Sequence, residues 1–383
     1  MIYLDHAATT PVLPAALEAA WPWLTSGYGN PNSTHELGLA AAGALQWSRE
    51  QCANWLGCYP DEVVFTSGGT EGNNLAIQGI ALGNPRGRHL ISSPTEHSSV
   101  LRVLEFLRDF HGFELTLLPV DERGSVAVAD LQSVLRPDTT LVTLMTANNE
   151  VGTLHPIAEL AAVCSGAAVP FHTDAVQSAG WQALNVRQLG VSALTLSGHK
   201  LGAPKGSGLV YMSSRQTVVP VLHGGGQEHA LRGGTPNVAW AVALATALAA
   251  TPNAEAAETE AARVAALRDE FVARVRQAVP TARLTGTESG AARHPALASL
   301  VFPGVNGETL LLELESNGVI CSSGSACSAN STEPSHVLTA LGYEADLATT
   351  AVRFSLSHST SQQDLHKTAE ALIDAHSKLT KGR

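Results

Sequence analysis

The chain has 383 residues, enough for two domains or for one large domain with a smaller one attached. Hydrophobic residues make up 44% and charged residues 15%, which excludes a disordered chain. The formal net charge of -11 argues against nucleic-acid binding, which needs basic clusters to neutralise phosphates.

The opening stretch, Met1–Thr10, has no basic region followed by an apolar run, so no leader peptide is expected. Short β-branched runs then alternate with Ala/Leu-rich helical patterns. Glu62–Phe65, His89–Ser92, Leu115–Leu118, Thr140–Met145, Val169–Thr173, Ala193–Leu196 and Gly208–Met212 read as strands. Thr70–Leu82 and Ser98–His111 read as helices between them. Such alternation predicts an α/β fold with a mostly parallel seven-stranded sheet. Gly224–Gly226, directly after His223, suit a tight or mobile connection. Val238–Ala250 is apolar but too short to cross a bilayer; it reads as a buried helix, and no membrane association is expected. After Pro252 the pattern changes to α+β. A long charged helix is expected over Glu255–Val279, strands at Ala298–Phe302 and Val352–Leu356, a helix over Glu308–Asn317 and a last helix from Gln362. The expected division is a large domain over residues 13–253 and a small one from residues 1–12 and 254–383.

Several strand ends carry polar residues, where open α/β sheets place their ligands. Ser67-Gly68-Gly69-Thr70-Glu71 opens a helix and could hold a phosphate, or be a plain helix cap. Asp174, in His172-Thr173-Asp174-Ala175-Val176-Gln177, could pair with a protonated pyridine nitrogen, or cap the next turn. Lysine is scarce: of five, Lys367, Lys378 and Lys381 lie in the C-terminal helix, which leaves Lys200 and Lys205 as Schiff-base candidates. Lys200, in Ser197-Gly198-His199-Lys200, follows a strand; Lys205 reads as a loop charge. His97 could act as an acid/base, stack on a ring or cap a helix. Arg353, inside an apolar strand pattern, needs a carboxylate partner, which an amino-acid substrate or a structural ion pair would supply.

The cysteines are Cys52, Cys58, Cys164, Cys321 and Cys327, an odd number with no leader, which points to a reducing compartment, the cytoplasm. Cys327 sits in the Ser/Gly/Ala-rich stretch Ser322–Ser328, composed like an exposed loop, where a thiol can be reactive. Cys321 follows Val319-Ile320 and reads as packed.

These motifs, in this order, resemble the cysteine desulfurases of the NifS/IscS type, class V aminotransferases among the fold-type I pyridoxal-phosphate (PLP) enzymes. The resemblance runs from Tyr3–Pro11 and Gly29-Asn30-Pro31 through Ser67–Glu71, Thr95–His97, Asn148–Gly152, Asp174–Gln177, Ser197–Lys200 and Gly224–Thr235 to Ser322–Cys327 and Arg353–Ser355. It implies a fold-type I large domain and a smaller α+β domain whose loop, about 321–333, carries the catalytic Cys327. It implies that Lys200 carries PLP as a Schiff base and shuttles protons, that Asp174 pairs with the pyridine nitrogen, that Gln177 bonds the ring hydroxyl and that His97 stacks on the ring. Gly69, Thr70, Ser197 and His199 would hold the phosphate, joined by Thr235 of a neighbouring subunit in a homodimer. Asn149, also at the cofactor, and Arg353 would bind the carboxylate of L-cysteine. Cys327 would take the sulfur as a persulfide, leaving L-alanine. The expected acceptors are an iron–sulfur scaffold, where Cys327 would contact a cluster only transiently, or a tRNA-thiolation protein; no intrinsic metal is expected. Gly233 and His229 stand where relatives often have serine and arginine, and no extended C-terminal docking tail is expected. The alternatives are a selenocysteine lyase, another fold-type I aminotransferase, or a catalytically silent sulfur-relay scaffold.

Overall fold

The computed structural model describes residues 1–84, 86–251, 254–288, 290, 292–323 and 334–381, without the side chains of 254–257. Cys327 and most of the stretch 321–333 lie outside the described residues.

The chain opens with a short strand, β1 (Ile2–Tyr3). The next strands are β2 (Val63–Thr66), β3 (His89–Ser92), β4 (Glu114–Leu117), β5 (Thr139–Thr143), β6 (Phe171–Asp174), β7 (Ala193–Ser197) and β8 (Gly208–Met212). They form one seven-stranded sheet in the order β2-β8-β7-β6-β5-β3-β4. Only β8 runs antiparallel to its neighbours; the other pairings are parallel. The expected α/β sheet is therefore present, with strand ends displaced by one or two residues. Asp174 belongs to β6, because its backbone pairs with Thr195 of β7.

Strand periodicity explains the layering. Successive side chains point to opposite faces. Leu90, Leu141, Ala193 and Val210 join one core with Ile77, Ile80 and Leu104 from the helices Gly69–Gly83 and Ser98–His111. Their neighbours Ile91, Val142, Leu194 and Leu209 join the opposite core, with Leu160 and Leu244. Helix Val238–Ala250 lies in that second core and is buried along most of its length. No helix among the described residues is long and apolar enough to cross a membrane.

The C-terminal part builds a second sheet. Its strands are β9 (Arg283–Leu284), β10 (Leu297–Val301), β11 (Val319–Ile320), β12 (Ser322–Ser323) and β13 (Val352–Ser355). The order β12-β13-β10-β9 is antiparallel throughout. β11 lies outside this sheet and pairs in parallel with β1 in a separate two-stranded one, which ties the first residues of the chain to this part. Helices Ala254–Ala278, Gly307–Ser316 and Gln362–Lys381 accompany this sheet. Phe271, Phe302, Phe354, Leu310, Leu372 and the N-terminal Leu4 form its core. Burying a side chain such as Phe354 stabilises the fold by about 2 kcal/mol.

Candidate active site

The carboxyl ends of β2, β3, β5, β6 and β7 deliver their following loops to one edge of the large sheet, where ligands bind in such folds. A cavity of about 360 Å³ lies there. It is lined by Gly69, Thr70, Asn73, His97, Asn149, Asp174, Gln177, Ser197, His199, Lys200 and Arg353, among others. The predicted site residues therefore converge in one place, with two exceptions. Cys327 lies outside the described residues. Thr235 is exposed and borders a separate depression with Ser67 and Arg232.

At one end of the cavity, helix Gly69–Gly83 begins with Gly68 at its N-cap and no side chain capping it. Uncapped N–H groups and the helix dipole favour an anion. The loop can lie close against β8 because residue 208 is glycine: a Cβ there would come within 2.6 Å of the Gly68 Cα. Ser197 lies against this loop, its Oγ 3.8 Å from where a Cβ on residue 68 would stand, and His199 lines the same cavity. His199 is pushed down to about 4 by burial and by the nearby lysines, so its ring is neutral at pH 7.

Asp174 is buried and sits at the cavity wall. Its Oδ1 accepts from the Val176 N–H at 2.9 Å, and its Oδ2 accepts from the Asn73 amide at 2.7 Å. A carboxylate oxygen has two lone pairs, so each keeps acceptor capacity. The turn-capping contact is therefore present, with acceptor capacity left toward the cavity.

His97 likewise caps a helix while lining the cavity. Its Nδ1 accepts from the Ser99 N–H at 3.1 Å, which caps helix Ser98–His111. The Ser99 hydroxyl also lies 2.8 Å from Nδ1. It accepts from Asn73 at 2.8 Å, so its own hydrogen points to the imidazole. Nδ1 is thus an acceptor and Nε2 carries the proton. Burial, with Lys200 and His336 adding to it against Asp174, holds this histidine below its usual value.

The Lys200 ammonium donates to the Ala7 carbonyl and, at 2.7 Å, to the Ala8 carbonyl. Lys205 is exposed and does not line the cavity, as expected of a loop charge. Gln177 donates from Nε2 to the Ala7 carbonyl at 3.0 Å. Thr10 and Thr9 contact His199, through its carbonyl at 2.9 Å and its Nδ1 at 3.2 Å.

Arg353 is 2% exposed. Sequence reasoning left substrate or a structural pair as its partner. The protein supplies Asp5, whose Oδ1 accepts from Nη2 at 2.9 Å, and the Asn149 carbonyl, which accepts from Nη1 at 2.9 Å. Its Nε is buried without a partner. An unsatisfied buried donor is costly, so this edge of the guanidinium suits a further acceptor.

Beyond residue 333, Ser335 donates to the Glu150 carboxylate, and His336 Nε2 donates to the Glu96 carbonyl at 3.0 Å. Burial raises both Glu96 and Glu150 above the usual carboxyl range. Cys321 is half-buried, and burial pushes its thiol up to about 12. A thiol so raised is a poor nucleophile, in keeping with the packed reading of that residue.

This donor set fits a flat, phosphate-bearing pyridine aldehyde such as PLP. It offers an uncapped helix N-terminus for the phosphate, a carboxylate for the ring nitrogen, an imidazole, one amine and an arginine with an unpaired edge.

Comparison with known proteins decides the family. The sequence profile of the aminotransferase class-V family matches residues 2–367. The chain belongs to the aminotransferase class-V family. This class-V protein is 42% identical over 372 residues to cysteine desulfurase IscS of Dictyoglomus turgidum, covering 97% of the present chain and 93% of the relative. It is 41% identical over 381 residues to the IscS-like cysteine desulfurase of Mycobacterium tuberculosis, covering 98% and 96%. Among solved structures, a NifS-like protein superposes with a TM-score of 0.90 at 32% identity, covering 99% of this class-V chain and 100% of the other. SspA in complex with cysteine superposes with a TM-score of 0.81 at 35% identity, covering 93% and 99%. The class-V family and its cysteine desulfurases depend on pyridoxal phosphate.

Sequence reasoning missed Asn73 and Ser99. Asn73 was detectable as a poor helix former three residues after Thr70 on the buried face of its helix. Asp5 was visible within a motif but had no role assigned.

Proposed function

We propose that this chain is a PLP-dependent cysteine desulfurase that converts L-cysteine to L-alanine and places the sulfur on Cys327 as a persulfide. The observation that carries the reading is the convergence of Lys200, Asp174, His97 and Arg353 on one 360 Å³ cavity. The relatives named as cysteine desulfurases cover almost the whole chain and support the same chemistry.

Bound PLP would supply an electron sink for negative charge developing on the amino acid. Lys200 would be the amine that holds it and would move protons at Nζ. Gly69, Thr70, Ser197 and His199 hold the phosphate. Asp174 would pair with the protonated ring nitrogen, and Gln177, which donates to the Ala7 carbonyl here, would serve the ring hydroxyl. His97 would stack on the ring and offer the Nε2 proton. Asn149 and the unpaired edge of Arg353 orient the substrate carboxylate. The Cys327 thiolate attacks the substrate sulfur as in thiol–disulfide exchange: the new S–S bond forms, the C–S bond breaks, and its electron pair stays with the carbon that becomes the methyl group of alanine.

The working state is a homodimer in which Thr235 reaches the neighbouring subunit's phosphate end. Exposed Trp21, Leu24 and Tyr28, at 60%, 48% and 72%, support this, since a second copy would cover them. Residues 13–253 act as the large domain, and 1–12 with 254–383 as the small one. The setting is cytoplasmic, and the sulfur passes to an iron–sulfur scaffold or a tRNA-thiolation protein.

The test is absorbance and product analysis on the purified chain loaded with pyridoxal phosphate. Wild type should absorb as a lysine-bound cofactor and form alanine from L-cysteine, and Lys200→Ala should lose both. Alanine from L-selenocysteine but none from L-cysteine would instead identify a selenocysteine lyase.

A further inference from the structure

We propose that Asp5 is a positioning residue for carboxylate recognition, holding the Arg353 guanidinium so that its Nε edge is left for an amino-acid substrate. This rests on the functional reading above.

A guanidinium offers five N–H donors in a rigid planar fork. In Arg353, one Nη1 hydrogen goes to the Asn149 carbonyl and one Nη2 hydrogen to Asp5 Oδ1, both at 2.9 Å. Nε is buried and has no partner, although the residue lines the cavity. Nε and Nη2 lie on the side-on edge that a carboxylate can accept, and Asp5 takes one of the two Nη2 hydrogens. Asp5 therefore fixes the rotation of the group through Nη2 and leaves Nε without a protein partner.

Asp5 is itself held on the strand that carries Arg353. It bridges Ser355, two residues further along β13, and the Ser355 N–H donates to the Leu4 carbonyl at 2.8 Å. The Ser355 hydroxyl accepts from the Ala7 N–H at 2.8 Å. Beyond Asp5, the same segment reaches Lys200 through the Ala7 and Ala8 carbonyls. One stretch of chain thus contacts both the proposed carboxylate binder and the proposed cofactor amine. Asp5 does not line the cavity, so it acts through Arg353.

A merely structural ion pair would also place a carboxylate beside a buried arginine. The two roles differ in what they predict for ligands with and without a carboxylate. They also separate charge from orientation, because the negative charge of Asp5 opposes an incoming carboxylate while its hydrogen bond aligns the fork. Asp5→Asn keeps an acceptor oxygen and removes the charge; Asp5→Ala removes both.

The experiment titrates the PLP-loaded wild type, Asp5→Ala and Asp5→Asn with L-alanine and with ethylamine, which is alanine without its carboxylate. Binding is read from the cofactor absorbance, and KM and kcat are measured with L-cysteine. Asp5→Ala should weaken L-alanine about tenfold, the scale of one hydrogen bond to a charged group, and leave ethylamine unchanged. Its KM should rise by a similar factor with kcat within about twofold, since the lost interaction is uniform binding. Asp5→Asn should bind L-alanine within about threefold of wild type. If Asp5→Ala does not fold, Asp5→Ser, too short to reach Nη2, takes its place with the same expectation. Equal weakening of both ligands, or unchanged L-alanine binding in Asp5→Ala, would overturn the proposal. Absence of L-cysteine turnover in wild type would overturn the functional reading instead, and the alanine–ethylamine comparison would still decide the role of Asp5.

Discussion

The Asn73 side chain donates to Asp174 Oδ2 at 2.7 Å and, with the same nitrogen, to the Ser99 hydroxyl at 2.8 Å. Ser99 in turn donates to His97. Asn73 thus ties the acid proposed for the ring nitrogen to the imidazole proposed to stack on the ring. The carboxylate can only accept, so it fixes which way the amide points.

Asn73→Ala should leave Asp174 short of a charge-assisted hydrogen bond worth about 2 kcal/mol. Pyridoxal phosphate affinity, followed by absorbance on the apo chain, should fall roughly 10- to 100-fold. Unchanged affinity would show that Asp174 is held by its own loop alone.

A second prediction concerns the backbone. Glu228, His229 and Ala230 all have positive φ, at 46°, 58° and 63°, although none is glycine. Such conformations cost about 1–3 kcal/mol each and persist only when surroundings impose them. Here Arg49 forms a two-pronged buried pair with Glu228, at 2.9 and 2.8 Å, and the Phe65 N–H donates to the same carboxylate at 2.8 Å. Arg49→Met would leave this buried carboxylate without its cation. Chemical denaturation should show a loss of about 3–5 kcal/mol, partly restored in Arg49→Met/Glu228→Gln.

A third prediction is about pH. His172 is fully buried between Thr143 and Thr195, and burial lowers it to about 3 from an ordinary 6.5. The native ring stays neutral while the unfolded one takes up a proton below pH 6.5. Stability from this residue is therefore complete above pH 6.5 and declines as pH falls toward 3, by about 3 kcal/mol at pH 4. The melting temperature of His172→Gln should be less steep in pH between 6.5 and 4 than that of wild type. Parallel curves would assign the acid sensitivity to other groups.

A fourth prediction concerns Ser335 and Glu150. Glu150 follows Asn149 in sequence and accepts the Ser335 hydroxyl in a buried contact. Ser335→Ala should lower thermal stability by about 1–3 kcal/mol, because an acceptor loses its donor inside the protein. Ser316→Ala, at an exposed helix end, should change it by less than about 0.5 kcal/mol.

The large sheet was legible in the sequence because its strands are short apolar runs bounded by turn residues. Their ends were less so, since ladder hydrogen bonds rather than hydrophobicity decide them, as at Asp174. β1, β9, β11 and β12 have two residues each, too few for any periodic signal. Thr70, Asp174, Lys200 and His97 were found through strand-end motifs, Arg353 inside an apolar strand pattern, and Asn149 only through the family resemblance. Asn73 and Asp5 were not given roles, because their meaning lies in partners 101 and 348 positions away. Arg353 was recognised as needing a carboxylate, but which one depends on tertiary pairing that no local pattern encodes.

The central claim is sulfur removal from cysteine by this site with Cys327 as carrier. It is tested most directly by incubating PLP-loaded wild type and Cys327→Ala with L-cysteine and measuring alanine together with the intact mass of the chain. Wild type should form alanine and gain one sulfur atom; Cys327→Ala should still bind cysteine, by absorbance, but form no alanine and gain no sulfur. Alanine formation at the wild-type rate in Cys327→Ala would contradict it.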